Sequence, residues 1–195
     1  DGIRDVAVTG VQTCALPIFA LKGDHGWRSV CAHANVSSDG FVAMEPYDDA
    51  MTYKLVEAVS NNLGVAPAAV LEAFGEYWIT YTAKEGYGPL LEAGGDSLRE
   101  FLANLDEMHA RVEVAFPVMR VPHFRVVDQG DNEFLLHYTS TREGLAPMVI
   151  GLVRGLAKRF GQTVDIVLET PKASLDADDI FRIRVQPSAV VANGN

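Results

Sequence analysis

Apolar positions along the chain keep a helical period past the middle, then fall to a period of two with one helical segment inserted. Met51, Leu55, Val59 and Leu63 recur at helical spacing, with Asp48 and Asp49 placed to cap and Gly64 placed to stop. A second helix is predicted from Pro67, a residue suited to a first turn, with Val70, Phe74, Tyr77, Trp78 and Tyr81 on one side. Gly86, Gly88 and Gly94-Gly95 mark loops. Ser97 and Glu100 form a capping-box pattern. The helix behind them carries Leu98, Phe101, Leu102, Leu105, Met108, His109 and Val112 on one face, and Pro117 and Pro122 end it.

Beyond Pro122 the period falls to two. Residues 124–127 and 133–140, joined by a turn over 128–132, read as a β-hairpin. Residues 144–160 are helical again, with Leu145, Met148, Val149, Leu152, Leu156 and Phe160 on one side. Residues 163–169 and 179–185 alternate as two more strands. The order predicts an α+β fold: an N-terminal helical subdomain, then a C-terminal antiparallel sheet with an inserted helix. Residues 1–18 follow neither period and lack an initiator Met. They resemble translated sequencing-adapter read-through and are read as a non-native segment. One domain is expected over 19–185, with a flexible tail over 186–195.

Composition narrows the function. The 195 residues hold 16 basic and 26 acidic side chains, a net charge of −10. No basic patch offsets this, so nucleic acid is an unfavourable partner. Two cysteines, Cys14 and Cys31, make neither a disulfide framework nor a four-thiolate metal site. No apolar run approaches the roughly 20 residues of a membrane span, and no secretory signal is visible. The expected location is the cytoplasm.

Two features carry chemistry. His109 lies in register with the apolar face of its helix. A buried imidazole needs a partner for its nitrogen, because an unsatisfied buried polar atom costs about 1–3 kcal/mol. A backbone carbonyl or a metal would serve, and on spacing alone the packed histidine is the commoner case. The second feature is Tyr138-Thr139-Ser140-Thr141-Arg142. If extended, it sets a phenol, a hydroxyl and a guanidinium in one row, which suits carboxylates; a solvated strand face is the simpler alternative. Together the two supply what haem needs: an axial nitrogen, apolar walls and donors for two propionates.

These residues resemble the H-NOX (haem nitric oxide/oxygen binding, HNOB) domain, of the bacterial stand-alone type related to the haem domain of soluble guanylate cyclase. The resemblance runs from Gly26 to Val185. It is carried by Trp27, Tyr47-Asp48-Asp49 with Thr52-Tyr53, Phe74-Gly75, the segment FLANLDEMH ending at His109, Pro117, Pro122, and Tyr138/Ser140/Arg142 running into Glu143-Gly144-Leu145.

The resemblance implies haem b (iron protoporphyrin IX) held between the helical and sheet halves. His109 would be the axial metal ligand, and Tyr138, Ser140 and Arg142 would hold the propionates. Asp48 or Asp49 would support Arg142, and Pro122 would press on the porphyrin. Leu105, Phe74, Trp78, Leu145 and Met148 would line the pocket. The distal slot falls at Met148 or Pro147, neither a donor, which leaves the Trp78 indole as the one distal N–H to consider. The family's first helix would precede Phe19, where the odd N-terminus stands.

The implied function is a gas sensor with no reaction of its own. It would bind nitric oxide and carbon monoxide at ferrous haem and exclude oxygen. It would signal by release of His109 and haem relaxation, to a partner in trans such as a histidine kinase or a cyclic-dinucleotide enzyme. The alternatives are a peroxidase-like haem enzyme, which would want a distal His/Arg pair, a haem-free partner-binding module, and, weaker, a zinc site near Cys31 and His33.

Overall fold

The computed structural model describes residues 23, 25–37, 48–82, 88, 91–115 and 120–186. Tyr47, Pro117, residues 1–18 and residues 187–195 lie outside them. The chain divides into two compact units: residues 1–91 with 144–155, and residues 92–143 with 156–195.

The first unit is helical. Helix α1 (25–34) lays Trp27, Val30, Cys31 and Ala34 against Leu55, Ala58 and Val59 of α2 (Asp49–Leu63). Asp48 caps α2 by accepting from the Ala50 amide, and Gly64 closes it with a positive φ of 67°. Helix α3 (Pro67–Tyr77) opens on its proline and widens into a π-turn over Trp78–Thr82. The Thr80 hydroxyl donates back to the Glu76 and Tyr77 carbonyls at 3.0 and 3.3 Å there. The extra residue per turn rotates the buried face, so Ile79 is buried and Trp78 only half-buried.

Helix α5 (Ala146–Arg159) starts two residues later than its pattern suggests, because Gly144 takes a φ of 70° that no helix continues. It crosses α3 with almost no space between backbones. A Cβ on Gly75 would overlap the Met148 carbonyl oxygen and stand 2.8 Å from the Leu152 nitrogen. A Cβ on Gly151 would overlap the Glu72 carbonyl oxygen. An Arg154–Glu72 ion pair fastens the same crossing.

The second unit is a four-stranded antiparallel sheet with α4 (Leu98–Ala115) packed on it. Its strands are β1 (His123–Gly130), β2 (Glu133–Thr139), β3 (Val164–Thr170) and β4 (Asp179–Val185), in the order β1-β2-β4-β3. Phe124, Phe134, Leu136, Tyr138, Ile166, Phe181 and Ile183 alternate onto the buried face. Leu98, Phe101 and Leu102 of α4 complete the core, with Phe160 at 6.1 Å from Phe101 between ring centroids.

Ser97 caps α4 through the Glu100 amide, while the Glu100 carboxylate accepts from the Asp96 amide. The hairpin turn is tighter than the expected 128–132. The strands reach Gly130 and resume at Glu133, because glycine accepts a φ of 141° and Arg99 donates to the Gly130, Asp131 and Glu133 carbonyls. Beyond β4 the Gln186 amide donates to the Thr163 carbonyl at 2.8 Å.

Candidate functional site

The apolar stripe of α4 is buried only through its first half. Leu98, Phe101 and Leu102 are 0–2% exposed, whereas Leu105, Met108, His109 and Val112 are half-buried. The expectation of a fully buried face is therefore corrected for its second half. Polar bonds hold that half in place. Asn104 donates to the Gly94 carbonyl at 3.1 Å. Asp106 accepts from the Phe124 amide at 3.2 Å and stands 3.1 Å from His123 Nδ1.

His109 Nδ1 lies 2.9 Å from the Pro122 carbonyl oxygen. A carbonyl only accepts, so Nδ1 carries the proton and Nε2 keeps its lone pair. Burial is the largest influence on this ring and lowers its pKa below the ordinary 6.5; the bond to Pro122 and the charge of Asp106 oppose it. Burial thus favours the neutral imidazole, whose Nε2 lone pair is able to ligate, with the other nitrogen bonded as in many metal-bound histidines. The two ways of satisfying a buried histidine prove compatible, since each uses a different ring nitrogen. Pro122 acts here through its backbone: its carbonyl sets the tautomer.

An aromatic column runs from this ring. Phe124 is 5.6 Å from His109 and 5.3 Å from Tyr138 between ring centroids. Tyr138 is 4% exposed on the buried face of β2. The expected straight row Tyr138/Ser140/Arg142 does not form. The strand ends at Thr139, and the Ser140 hydroxyl accepts from the Arg142 amide at 3.1 Å, turning the chain. That bond leaves the Ser140 O–H as a donor.

Arg142 is half-buried in the same turn; its Nε–H meets no acceptor, while the residue makes further interactions. Lys172 Nζ donates to the carbonyls of Ser140 and Arg142 at 2.9 and 2.8 Å. The Lys172 amide in turn donates to buried Asp179 at 2.9 Å, and Asp179 pairs with Tyr138 across β2 and β4. Phenol, hydroxyl, guanidinium and ammonium thus gather in one unit, a chemistry suited to carboxylates.

The remaining expected residues belong to the helical unit. Phe74 is buried on α3, and Leu145 is buried with Val56 and Leu71, against which Val70 and Met148 pack. Met148 and Trp78 are half-buried, as is Pro147. The side chains of Phe74, Leu145, Met148 and Pro147 donate no hydrogen bond. Asp48 spends its carboxylate on the α2 cap. Among the described residues no three His, Cys, Asp or Glu side chains gather to hold a metal. Cys31 is buried in the helical core, and His33 donates to the Ser29 carbonyl of its own helix.

Asn104 and Asp106 lie in the FLANLDEMH segment, whose spacing from His109 carries the signal for them. Nothing local marks Lys172, which reaches back about 30 residues along the chain.

The family model described as Haem-NO-binding (HNOB) matches residues 13–168. Soluble guanylate cyclase gcy-35 of Caenorhabditis elegans is 35% identical over 137 residues, 69% of this chain and 20% of that protein. Guanylate cyclase soluble subunit beta-2 of Rattus norvegicus is 39% identical over 95 residues, 49% of this chain and 14% of that protein. The chain therefore spans about a fifth or less of these curated relatives.

Among solved structures, a mutant Fe(II) unliganded H-NOX protein from K. algicida superimposes with a TM-score of 0.80 at 19% identity, covering 93% of this chain and 98% of that one. An H-NOX protein from S. oneidensis in the Fe(II)NO ligation state gives 0.79 at 20% identity, covering 92% and 100%. These likenesses concern the fold, which is the mixed helix-and-antiparallel-sheet architecture expected. No helix among the described residues is long and apolar enough to cross a membrane.

Proposed function

Because the chain belongs to the Haem-NO-binding (HNOB) family, we propose that it senses nitric oxide and carbon monoxide through haem b and excludes oxygen. One observation carries the reading: the Nδ1–H bond from His109 to the Pro122 carbonyl, which leaves a neutral ring with Nε2 free to ligate. The donor set fits the group. His109 would hold the iron through Nε2; Tyr138, Ser140 and Arg142 would bind the propionates, and Pro122 would contact the porphyrin. When bound, haem would supply a ferrous iron able to take a diatomic gas.

In the helical unit the side chains of Phe74, Leu145 and Met148 offer no hydrogen to a partly negative bound oxygen, and this supports discrimination against that gas; the Trp78 indole carries the one N–H among the residues assigned there. Leu105 would add apolar surface beside His109. The bond from His109 to the Pro122 carbonyl would couple any shift of α4 to the start of β1. A ligand moves such an equilibrium only by its differential affinity for the two states. The signal would pass to a partner protein such as a histidine kinase or a cyclic-dinucleotide enzyme. We assign the cyclase activity of the relatives to portions of those proteins that this chain does not match.

Gas titration of the reduced, haem-loaded protein tests the reading. Distinct absorption spectra with nitric oxide and carbon monoxide are expected, and none stable in air. A persistent oxy-complex would overturn the gas selectivity, and failure to take up haem would overturn the whole.

A further inference from the structure

We propose that Lys172 is a positioning residue for the propionate-binding turn. Its ammonium fixes the backbone from Ser140 to Arg142 and adds a positive charge behind it. The inference rests on the haem reading above.

The argument starts from what the turn lacks. Residues 140–144 follow no regular secondary structure, so no ladder fixes their carbonyls. The Ser140 hydroxyl bond to the Arg142 amide closes the turn on one side only. Lys172 supplies the other side, gripping the Ser140 and Arg142 carbonyls at 2.9 and 2.8 Å. Both are charge-assisted bonds, about twice as strong as neutral ones. With those carbonyls held toward Lys172, two of the three residues meant for carboxylates have their backbone fixed before any ligand arrives.

Lys172 is itself anchored. Its amide is held by Asp179, a buried carboxylate whose residue pairs with Tyr138 across the sheet. The third propionate donor is thus joined to the other two through Lys172 and Asp179. A half-buried ammonium also attracts anions at short range, where salt screens it little. A ligand with carboxylates gains from both effects, and one without them gains from neither.

That contrast supplies the test. Apo-protein and Lys172→Met are titrated with haem and with haem dimethyl ester, whose propionates are neutral. The variant is expected to bind haem about tenfold more weakly and the ester within about twofold of wild type. Equal losses on both ligands would show a merely structural lysine and overturn the inference. No loss on either would overturn it as well. Should Lys172→Met not fold, Lys172→Gln, which keeps a donor without the charge, is read by the same criteria. A wild-type protein that binds neither ligand would overturn the haem reading itself, and this inference with it. That outcome appears before any variant is made.

Discussion

The crossing of α3 over α5 and the histidine end of α4 are built on opposite principles. At the crossing, backbones meet through Gly75 and Gly151 with no room for a methyl group. At the histidine end, the helix is held by hydrogen bonds that Asn104 and His109 donate and one that Asp106 accepts. Close packing resists displacement continuously, because any shift creates overlap or void. Discrete polar bonds worth about 1 kcal/mol each can break and re-form one at a time. For the sensor proposed above, the first region would serve as a frame and the second as the element able to move.

The largest test attacks the frame. Gly151→Ala in an ordinary helix would gain about 1 kcal/mol, but here the methyl meets the Glu72 backbone, and a net loss of about 2 kcal/mol or more is expected in urea unfolding. A gain would mean that the crossing is looser than drawn.

The next test compares the two regions in one experiment. Amide exchange should be slower in α3 and the first turns of α5 than in α4 beyond Leu105, since half-buried segments open more readily. Equal protection would erase the contrast.

A smaller effect is expected from Asp106→Ala. It leaves the Phe124 amide without its acceptor, and a loss of about 1 kcal/mol should appear in thermal unfolding of the apo-protein. Asp106→Asn, which keeps an acceptor oxygen, should lose less.

The smallest test lies on the outer face of the sheet. The hydrogen bond from Thr139 is the chief cause holding the Asp178 carboxyl below its usual 3.8, with His137 adding to it against burial. A depressed carboxylate stabilises the fold above 3.8 and loses that contribution as pH falls through the lower folded value. Thr139→Val should therefore cost under about 1 kcal/mol at pH 7. The gap to wild type should close in denaturant melts below pH 3.8. A gap that persists in acid would assign the effect to packing.

The same contrast separates what could be read from the residues and what could not. Helices, strands and their order follow from apolar period and caps, which are local. Asp48, Gly64, Pro67 and Ser97 all act at the ends where they were expected. His109 was likewise visible as the one imidazole in an apolar stripe.

Three things were not visible, each because a non-local or side-chain bond overrides the local pattern. The π-turn moves burial from Trp78 to Ile79. The Ser140 hydroxyl bends what alternation alone would extend. Lys172 reaches its carbonyls from a distant loop, which no spacing rule encodes. The tight crossing was half visible, as Phe74-Gly75, but its reason lies in the opposing backbone.

The most decisive measurement is the absorption spectrum of reduced, haem-supplemented His109→Gly with and without added imidazole. If Nε2 of that ring is the axial ligand, the variant should lose the wild-type Soret band, and free imidazole should restore it. An unchanged band in His109→Gly without imidazole would contradict the assignment.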